Sequence, residues 1–266
     1  MRIGKLQVNL LSFLGIGIFL AVWYFLSNRL GSMRLPPPHD VIYMFFTSLT
    51  FSRELLVQGG GNQGLLPHLI YTFTRTLLGG AVGIALGTLV GLAMGWSQRL
   101  RYFLEPPIEL IRTIPPLAAA PFFLMWLGPT PISHFSMLVF YTFLILVINT
   151  LEAIRNVPLV YHQYAATMGA SRAQIFRTVV LPAIVPELTG AVRVAIGVCW
   201  GIQVVVELLG APRGMGQVFN MLLSVQRLSL IMAGILWITV MAVAVDFVFT
   251  RFARFLTRWQ PVHSSA

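Results

Sequence analysis

Charged side chains are scarce in this chain. Only 10% of its 266 residues are Asp, Glu, Lys or Arg, whereas 57% are hydrophobic. A soluble globular domain carries about 25% charged and about 45–50% apolar residues. Together with the mean hydropathy of +0.81, this composition indicates an integral membrane protein. It also excludes intrinsic disorder, a collagen-like repeat and a disulfide scaffold, the last because the chain has one cysteine.

Lysine and cysteine are almost absent, and both scarcities limit the chemistry. Lys5 is the single lysine among 18 basic residues, and no Gly-rich turn precedes it. A phosphate-binding P-loop needs its lysine between such a turn and a helix, so we expect no ATP hydrolysis by that route in this chain. Cys199 lies in an apolar stretch and is expected to be a small buried residue rather than a reactive thiol. No His, Cys or carboxylate cluster has metal-ligand spacing, so no metal is expected.

Six apolar stretches are long enough to cross a bilayer, which takes about 20 residues of helix. They lie at about 8–26, 69–95, 103–127, 132–151, 184–209 and 230–249, and prolines interrupt the third. The first is expected to be a retained span rather than a cleaved signal peptide, because its apolar core is too long and no cleavage site follows it. The sequence therefore predicts an all-α membrane protein with six transmembrane helices.

The excess of positive charge predicts orientation rather than nucleic-acid binding, because Lys and Arg concentrate on the cytoplasmic side of membrane proteins. With a cytoplasmic N-terminus, ten basic residues lie inside and five outside. The inner set is Arg2, Lys5, Arg99, Arg101, Arg155, Arg172, Arg177, Arg251, Arg254 and Arg258, and the outer set is Arg29, Arg34, Arg53, Arg213 and Arg227. Both termini are therefore expected in the cytoplasm.

Glycine recurs at every fourth position of the second span. The five residues are Gly79, Gly83, Gly87, Gly91 and Gly95. In a helix this spacing forms a slowly winding groove that admits a neighbouring backbone. We expect it to serve helix packing in a bundle.

The third span contains the segment Arg112-Thr113-Ile114-Pro115-Pro116. Irregular backbone at membrane depth is tolerated only where protein or a water-filled cavity satisfies it. Arg112, Pro115 and Pro116 are therefore candidates for the lining of a translocation pathway. The alternative is a buried kinked helix in which Arg112 pairs with Glu109, and both can hold together.

The fifth span carries Arg193 and Glu207 within its apolar run. Intramembrane charges are costly and face a bundle interior or an aqueous cavity. Both residues are pathway candidates, although Arg193 can instead pair with a carboxylate on a neighbouring helix. Arg75 and Asp246 lie nearer the ends of their spans and are expected to reach toward the interface.

The inner segment between spans four and five predicts a helix-turn-helix at about 161–176. Gly169 is expected to end one short helix and Ser171 to cap the next, which begins at Arg172. Such an element outside the membrane suits the docking of a soluble partner, whereas the alternative is an ordinary structured loop. The candidate coupling residues are Gln163, Tyr164, Ala165, Ala166, Gly169, Ala170, Ser171, Arg172, Leu181 and Pro182.

At this segment the chain resembles the permease subunits of binding-protein-dependent ABC importers. Their signature is Glu-Ala-Ala, three residues, Gly, nine residues, Ile, one residue and Leu-Pro. Here Gly169, Val179, Leu181 and Pro182 follow that spacing, whereas Gln163 and Tyr164 depart from its start. The segments Ile114-Pro115-Pro116-Leu117-Ala118, Trp126-Leu127-Gly128, Val206-Glu207-Leu208-Leu209-Gly210 and Gly214-Met215-Gly216 resemble the nitrate, bicarbonate, taurine and alkanesulfonate branch.

The resemblance implies a type I ABC importer permease in the bacterial inner membrane. Its implied partners are a second permease copy, two ATPase subunits that bind ATP and Mg²⁺, and a periplasmic or lipoprotein binding protein that delivers a small anion. This chain would then hold no cofactor and catalyse nothing, and the helix around 165–171 would sit in a cleft of the ATPase. The implied division is a first helix with an outer segment (1–68), a permease domain (69–259) and a cytoplasmic tail (260–266).

Two other classes fit the residues less well. A secondary transporter would show inverted repeats and ion-coordinating acids at the midplane, and neither is evident. An intramembrane enzyme needs a nucleophile and a base that face each other. His134 and Ser136 are two positions apart and do not share a helix face.

Overall fold

The computed structural model describes residues 3–258, with side chains from residue 11 onward, and this part of the chain is helical without strands. Arg2 and the expected tail at 260–266 lie outside the described residues. The helices are α1 (Ile3–Leu30), α2 (Pro38–Thr47), α3 (Arg53–Val57), α4 (Leu66–Trp96), α5 (Gln98–Ile111), α6 (Pro116–Leu127), α7 (Pro131–Arg155), α8 (Leu159–Thr167), α9 (Arg172–Ile175), α10 (Leu181–Leu208), α11 (Met215–Ser224) and α12 (Leu228–Leu256). A π-helical turn, Phe176–Val180, joins α9 to α10.

The spans match the expected pattern with longer bounds. Helices α1, α4, α7, α10 and α12 are each long and apolar enough to cross a membrane, and α5 with α6 forms a sixth candidate bent by 101°. The fifth span is longer than expected, because helical structure runs without a break over the 37 residues of Arg172–Leu208. The outer segment between the first two spans contains the short helices α2 and α3.

The glycine repeat of α4 packs against α7. A Cβ added to Gly83 would lie 2.6 Å from the Cβ of Thr142, and one added to Gly91 would lie 2.6 Å from the Cβ of Thr150. At Gly87 it would lie 2.5 Å from the carbonyl oxygen of Phe143. These contacts are closer than side chains allow, so the two backbones meet where only glycine fits. We call the five glycines of α4 the glycine face.

Helices α4 and α7 run in the same direction. Moving along α4 from Gly79 to Gly95, the side chain that faces each glycine advances along α7 from Leu138 to Ile154. Two parallel spans must begin on the same side of the membrane. The chain between them therefore crosses the bilayer once, which makes the bent pair α5–α6 a true span and gives six spans in all.

The interruption of the third span lies at one point. Pro106 and Pro107 are within α5 and Pro121 is within α6, and the helix is broken only between Ile111 and Pro116. Pro115 adopts an extended backbone with ψ of 137° and precedes a second proline. A residue before proline is disfavoured in the helical region, so the tandem prolines set the position of the bend.

The first span lies at the edge of the bundle. Only 6% of the residues in its most apolar stretch are buried. Its contacts are with the outer segment, where the indole of Trp23 donates to the Pro36 carbonyl (3.0 Å) and Ser27 donates to the Leu35 carbonyl (2.8 Å). Most of its apolar surface is therefore free for lipid or for another chain.

We expect the substitution Gly87→Ala to destabilise the chain. The added methyl group meets the backbone of α7, and overpacking of this kind costs about 1–3 kcal/mol. Thermal unfolding of the detergent-purified protein would show a lower midpoint. Gly15→Ala in α1 is the matched control, because a Cβ there meets nothing within 4 Å. Equal midpoints for the two variants would contradict the close approach of α4 and α7.

Candidate functional site

The inner helix-turn-helix (residues 159–182) contains the predicted turn. Helix α8 ends at Thr167, and Gly169 follows with φ of +81°, a left-handed conformation that suits glycine. The Ala170 amide donates to the Ala165 carbonyl (3.2 Å) and the Gly169 amide to the Ala166 carbonyl (3.0 Å). These two bonds form a Schellman motif, which ends the helix and satisfies its last carbonyls.

The second helix of this element begins as expected. The Ser171 hydroxyl accepts a hydrogen bond from the backbone amide of Gln174 (3.4 Å). The side-chain oxygen of Gln174 accepts one from the backbone amide of Ser171 (2.8 Å). This reciprocal capping box starts α9 at Arg172. Leu181 and Pro182 then form the first turn of α10, so the turn between α8 and α9 is tied directly to a span.

The outward surface of α8 is apolar although it lies beyond the end of a span. Tyr161, Tyr164 and Met168 recur at intervals of three and four residues and are 55%, 68% and 75% exposed. Residues with this spacing share one helix face. Gln163 and Ala166 are also exposed, whereas Ala165 and Ala170 are half-buried.

The helix-turn-helix is fastened to the inner end of α4. Arg172 places its guanidinium over the Trp96 ring, 5.1 Å from the centroid, and donates to the Trp96 carbonyl. The Trp96 ring also packs edge-on against Phe176 with centroids 5.2 Å apart. Phe176 begins the π-helical turn, a feature that is frequent at functional sites.

Arg112 lies at the bend of the third span and pairs with Glu109. Its Nε donates to the Glu109 carboxylate at 2.5 Å, and both side chains are exposed. Pro115 is exposed and Pro116 half-buried, while the Ile114 carbonyl accepts from the Tyr141 hydroxyl at 3.2 Å. The ion pair between Arg112 and Glu109 that was considered as the alternative is therefore present. A pathway-lining role for the bend stays a prediction.

Arg193 of α10 and Asp246 of α12 form a two-pronged ion pair. The Nε–Oδ1 distance is 2.6 Å and the Nη2–Oδ2 distance is 2.8 Å. The carboxylate partner considered for Arg193 is therefore Asp246 of a neighbouring span, and the expectation that Asp246 reaches toward the interface stays a prediction. The two side chains are 57% and 37% exposed in the single chain.

Glu207 lies at the outer end of α10 and is only 1% exposed. Its carboxylate accepts from the Thr72 hydroxyl (3.0 and 2.9 Å), the Gln203 side chain (2.8 Å) and the Gly216 amide (3.0 Å). Thr72 in turn accepts from the Met215 amide at 2.9 Å. In this Glu207 cluster (Thr72, Gln203, Glu207, Met215, Gly216), a carboxylate joins α4, α10 and α11.

Close approach makes glycine necessary beside this carboxylate. A Cβ on Gly214, whose φ is +115°, would collide with the Glu207 carboxyl group. The Gly214 amide donates to Nδ1 of His68 at 3.3 Å, and Nε2 of His68 lies 3.0 Å from the Gly60 carbonyl. Thr72, Gln203 and His68 were not identified from the sequence, because no motif marks their contacts. Pathway lining by Glu207 stays a prediction.

No group of three or more His, Cys, Asp or Glu residues that could hold a metal occurs within residues 3–258. Cys199 is buried and its Sγ lies 3.1 Å from the Thr142 hydroxyl, as expected for a packing residue.

The geometry defines a polytopic membrane protein with a helix-turn-helix at the inner end of its spans. Residues 83–260 match the family model of the binding-protein-dependent transport system inner membrane component. The chain is 31% identical over 251 residues to the taurine transport system permease protein TauC of Escherichia coli strain K12, covering 92% of this chain and 87% of that protein.

A second relative is the bicarbonate transport system permease protein CmpB of Synechococcus elongatus, which is 30% identical over 257 residues, or 96% of this chain and 90% of that one. The fold is similar to a chain of the inward-facing MetNI methionine ABC transporter, with a TM-score of 0.64, 19% identity, and coverage of 78% of this chain and 100% of that chain.

The chain therefore belongs to the family of binding-protein-dependent transport system inner membrane components. It is an inner-membrane permease of an ABC importer, and the secondary-transporter alternative is wrong.

We expect Thr72→Val to loosen the outer end of the bundle. The isosteric change removes a donor to Glu207 and the acceptor of the Met215 amide, and a buried group left unpaired costs about 1–3 kcal/mol. The measurement is the unfolding midpoint of the purified protein. Thr74→Val is the control, because Thr74 is exposed and its hydroxyl bonds only to carbonyls of its own helix. A Thr72→Val midpoint equal to that of the control would refute the importance of the cluster.

Proposed function

We propose that this chain forms half of the translocation path for a small oxyanion, with a second copy of the chain as the other half. Two ATPase subunits that bind ATP and Mg²⁺ would supply the energy, and a separate binding protein would deliver the solute. Support for the solute class comes from the relatives, whose names specify taurine and bicarbonate. Taurine carries a sulfonate and bicarbonate a carboxyl-type oxyanion, so the shared chemistry is a small anion with several oxygens.

The observation that carries this proposal is the exposed apolar face of α8. Three large side chains, Tyr161, Tyr164 and Met168, face away from the bundle on the side where basic residues concentrate. Exposed apolar surface with a polar rim marks protein–protein contact. A cleft in a soluble ATPase that receives this face would bury it and hold the permease by its inner end.

The rest of the helix-turn-helix supplies a route for motion. The Schellman turn and the capping box fix α8 to α9, and the π-helical turn continues α9 into α10. A movement of α8 would therefore tilt α10, which carries Arg193 and Glu207. ATP drives such a change only if the ATPase binds the two permease conformations with different affinity.

The Arg193–Asp246 pair supports a polar path beside α10 and α12. A charge exposed to hydrocarbon is expensive, and intramembrane charges face a bundle interior or water. Since both side chains are partly exposed in the single chain, we infer that this surface faces the second copy or the solute path. Arg112 and the bend at Pro115 and Pro116 present a second exposed arginine for the same path.

We expect Met168→Asp to separate the permease from its ATPase. A carboxylate at the centre of an apolar contact must be desolvated on binding, so co-purification of the ATPase and ATP-driven uptake of taurine or bicarbonate into proteoliposomes should both be lost. Met33→Asp is the matched control, because Met33 is 71% exposed in the outer segment, on the opposite side. Retention of the ATPase and of uptake by Met168→Asp would show that α8 is not the docking element.

The path proposal is tested by exchanging the charges of the ion pair. Arg193→Gln should lower uptake by at least about tenfold, because it removes the cation and leaves the Asp246 carboxylate beside the proposed path, where it repels anions. The double variant Arg193→Asp with Asp246→Arg keeps the pair and should restore the yield of folded protein without restoring uptake. Full recovery of uptake in the double variant would mean that Arg193 serves only to pair with Asp246.

A further inference from the structure

A polar cavity opens on the outer face beside the Glu207 cluster. Its volume is about 390 Å³, well above the about 30 Å³ that one water molecule occupies. The loop before α4, the first turns of α4 and the loop before α11 enclose it. The lining includes Gly60, Asn62, Gln63, Tyr71, Arg213 and Gln217, and no carboxylate.

The lining of this cavity carries one charged side chain, Arg213, whereas the nearby Glu207 carboxylate is buried and held by its own donors. Arg213 forms no ion pair within the described residues, whereas Arg112, Arg155 and Arg193 are each held by a carboxylate. Arg75, one turn below Tyr71, lies with its guanidinium 5.4 Å from the Tyr71 ring centroid and also has no carboxylate partner in the described chain. A concave site with one sign of charge concentrates ions of the opposite sign.

The cavity is also rich in unused hydrogen-bond donors. The side-chain amides of Asn62, Gln63 and Gln217 make no hydrogen bond within the described part of the chain, and neither do the backbone amides of Gly61, Asn62 and Gln63. Each side-chain amide offers two N–H donors. An arginine surrounded by neutral donors is suited to an anion with several oxygens.

One wall of the cavity is connected to the end of α10. The Gly214 amide donates to Nδ1 of His68, so the ring proton lies on Nε2, which donates to the Gly60 carbonyl. His68 thus joins the cavity loop to Gly214, the residue that touches the Glu207 carboxyl group. A ligand that orders the cavity loop would therefore affect, through His68 and Gly214, the Glu207 cluster that ties α10 to α4 and α11.

We propose that this cavity is an oxyanion-binding site on the outer face of the permease, with Arg213 as its charged contact and Asn62, Gln63 and Gln217 as donors. It would hold a small sulfonate or carboxylate solute at the entrance before transport. This solute class rests on the proposed function. The site itself is separate from the bend and from the Arg193–Asp246 pair.

A single-cysteine labelling experiment tests the site, because the one native cysteine is buried. Gln63→Cys places a thiol in the cavity, and Ser224→Cys places one on the exposed outer end of α11 as the control. In the reconstituted complex, the labelling rates of an anionic (sulfonatoethyl) and a cationic (trimethylammonioethyl) methanethiosulfonate are compared. We expect the anionic preference at residue 63 to exceed that at residue 224 by about tenfold.

Two further measurements complete the test. Ethanesulfonate should slow labelling at residue 63 and leave residue 224 unaffected, and Arg213→Gln should abolish both the preference and the protection, whereas Arg227→Gln should preserve them. Equal rate ratios at the two positions, or no protection by ethanesulfonate, would overturn the site.

Failure of the site is distinguishable from failure of the proposed function. Normal ATP-driven uptake of oxyanions without protection at residue 63 would reject only the cavity. Protection at residue 63 without any ATP-driven uptake of oxyanions would reject the transport proposal and leave the binding site in place.

Discussion

The close contact between the glycine face of α4 and helix α7 is the constraint on which the rest of the structure depends. Apolar side chains give little drive for helix association in lipid, so close packing of backbones must supply it. Five glycines let α7 lie against α4 over the stretch from Leu138 to Ile154. The parallel direction of the pair then requires one crossing between them, which the bent helices α5 and α6 provide.

Helix α4 connects the two ends of the molecule. At its outer end, Thr72 bonds to Glu207 and His68 bonds to Gly214. At its inner end, Trp96 contacts Arg172 and Phe176. The outer cluster and the inner helix-turn-helix are thus two attachments of α10 to the same rigid pair. The π-helical turn interrupts regular α-helical hydrogen bonding at the inner end of α10.

Local features of the fold could be predicted from the sequence, because they depend on neighbouring residues. The repeat from Gly79 to Gly95 specified a packing face, and Gly169 with Ser171 specified a turn that the Schellman and capping-box bonds confirm. The number of spans followed from apolar length. The bend was less predictable, because five prolines lie in the third span and only the pair Pro115-Pro116 breaks it.

Contacts between distant segments could not be predicted. Thr72 and Glu207 are 135 positions apart, and Arg193 and Asp246 are 53 apart, so no periodicity connects them. The packing of the spans determines which of these residues meet, and the composition of the chain does not specify that packing. The apolar run of the fifth span identified Glu207 and Arg193 as intramembrane charges. Only the structure shows that hydrogen-bond donors enclose Glu207 and that Arg193 pairs with Asp246 of another helix.

The parallel direction of α4 and α7 requires six spans, with the two ends of the bent pair α5–α6 on opposite sides of the membrane. The test of this topology is the labelling of single cysteines by an impermeant maleimide in spheroplasts, with Cys199→Ser as the background. Gln98→Cys lies at the start of α5 and Pro129→Cys just beyond the end of α6. The structure predicts that residue 129 is labelled from outside and residue 98 only after the membrane is permeabilised. Labelling of both residues from the same side would contradict it.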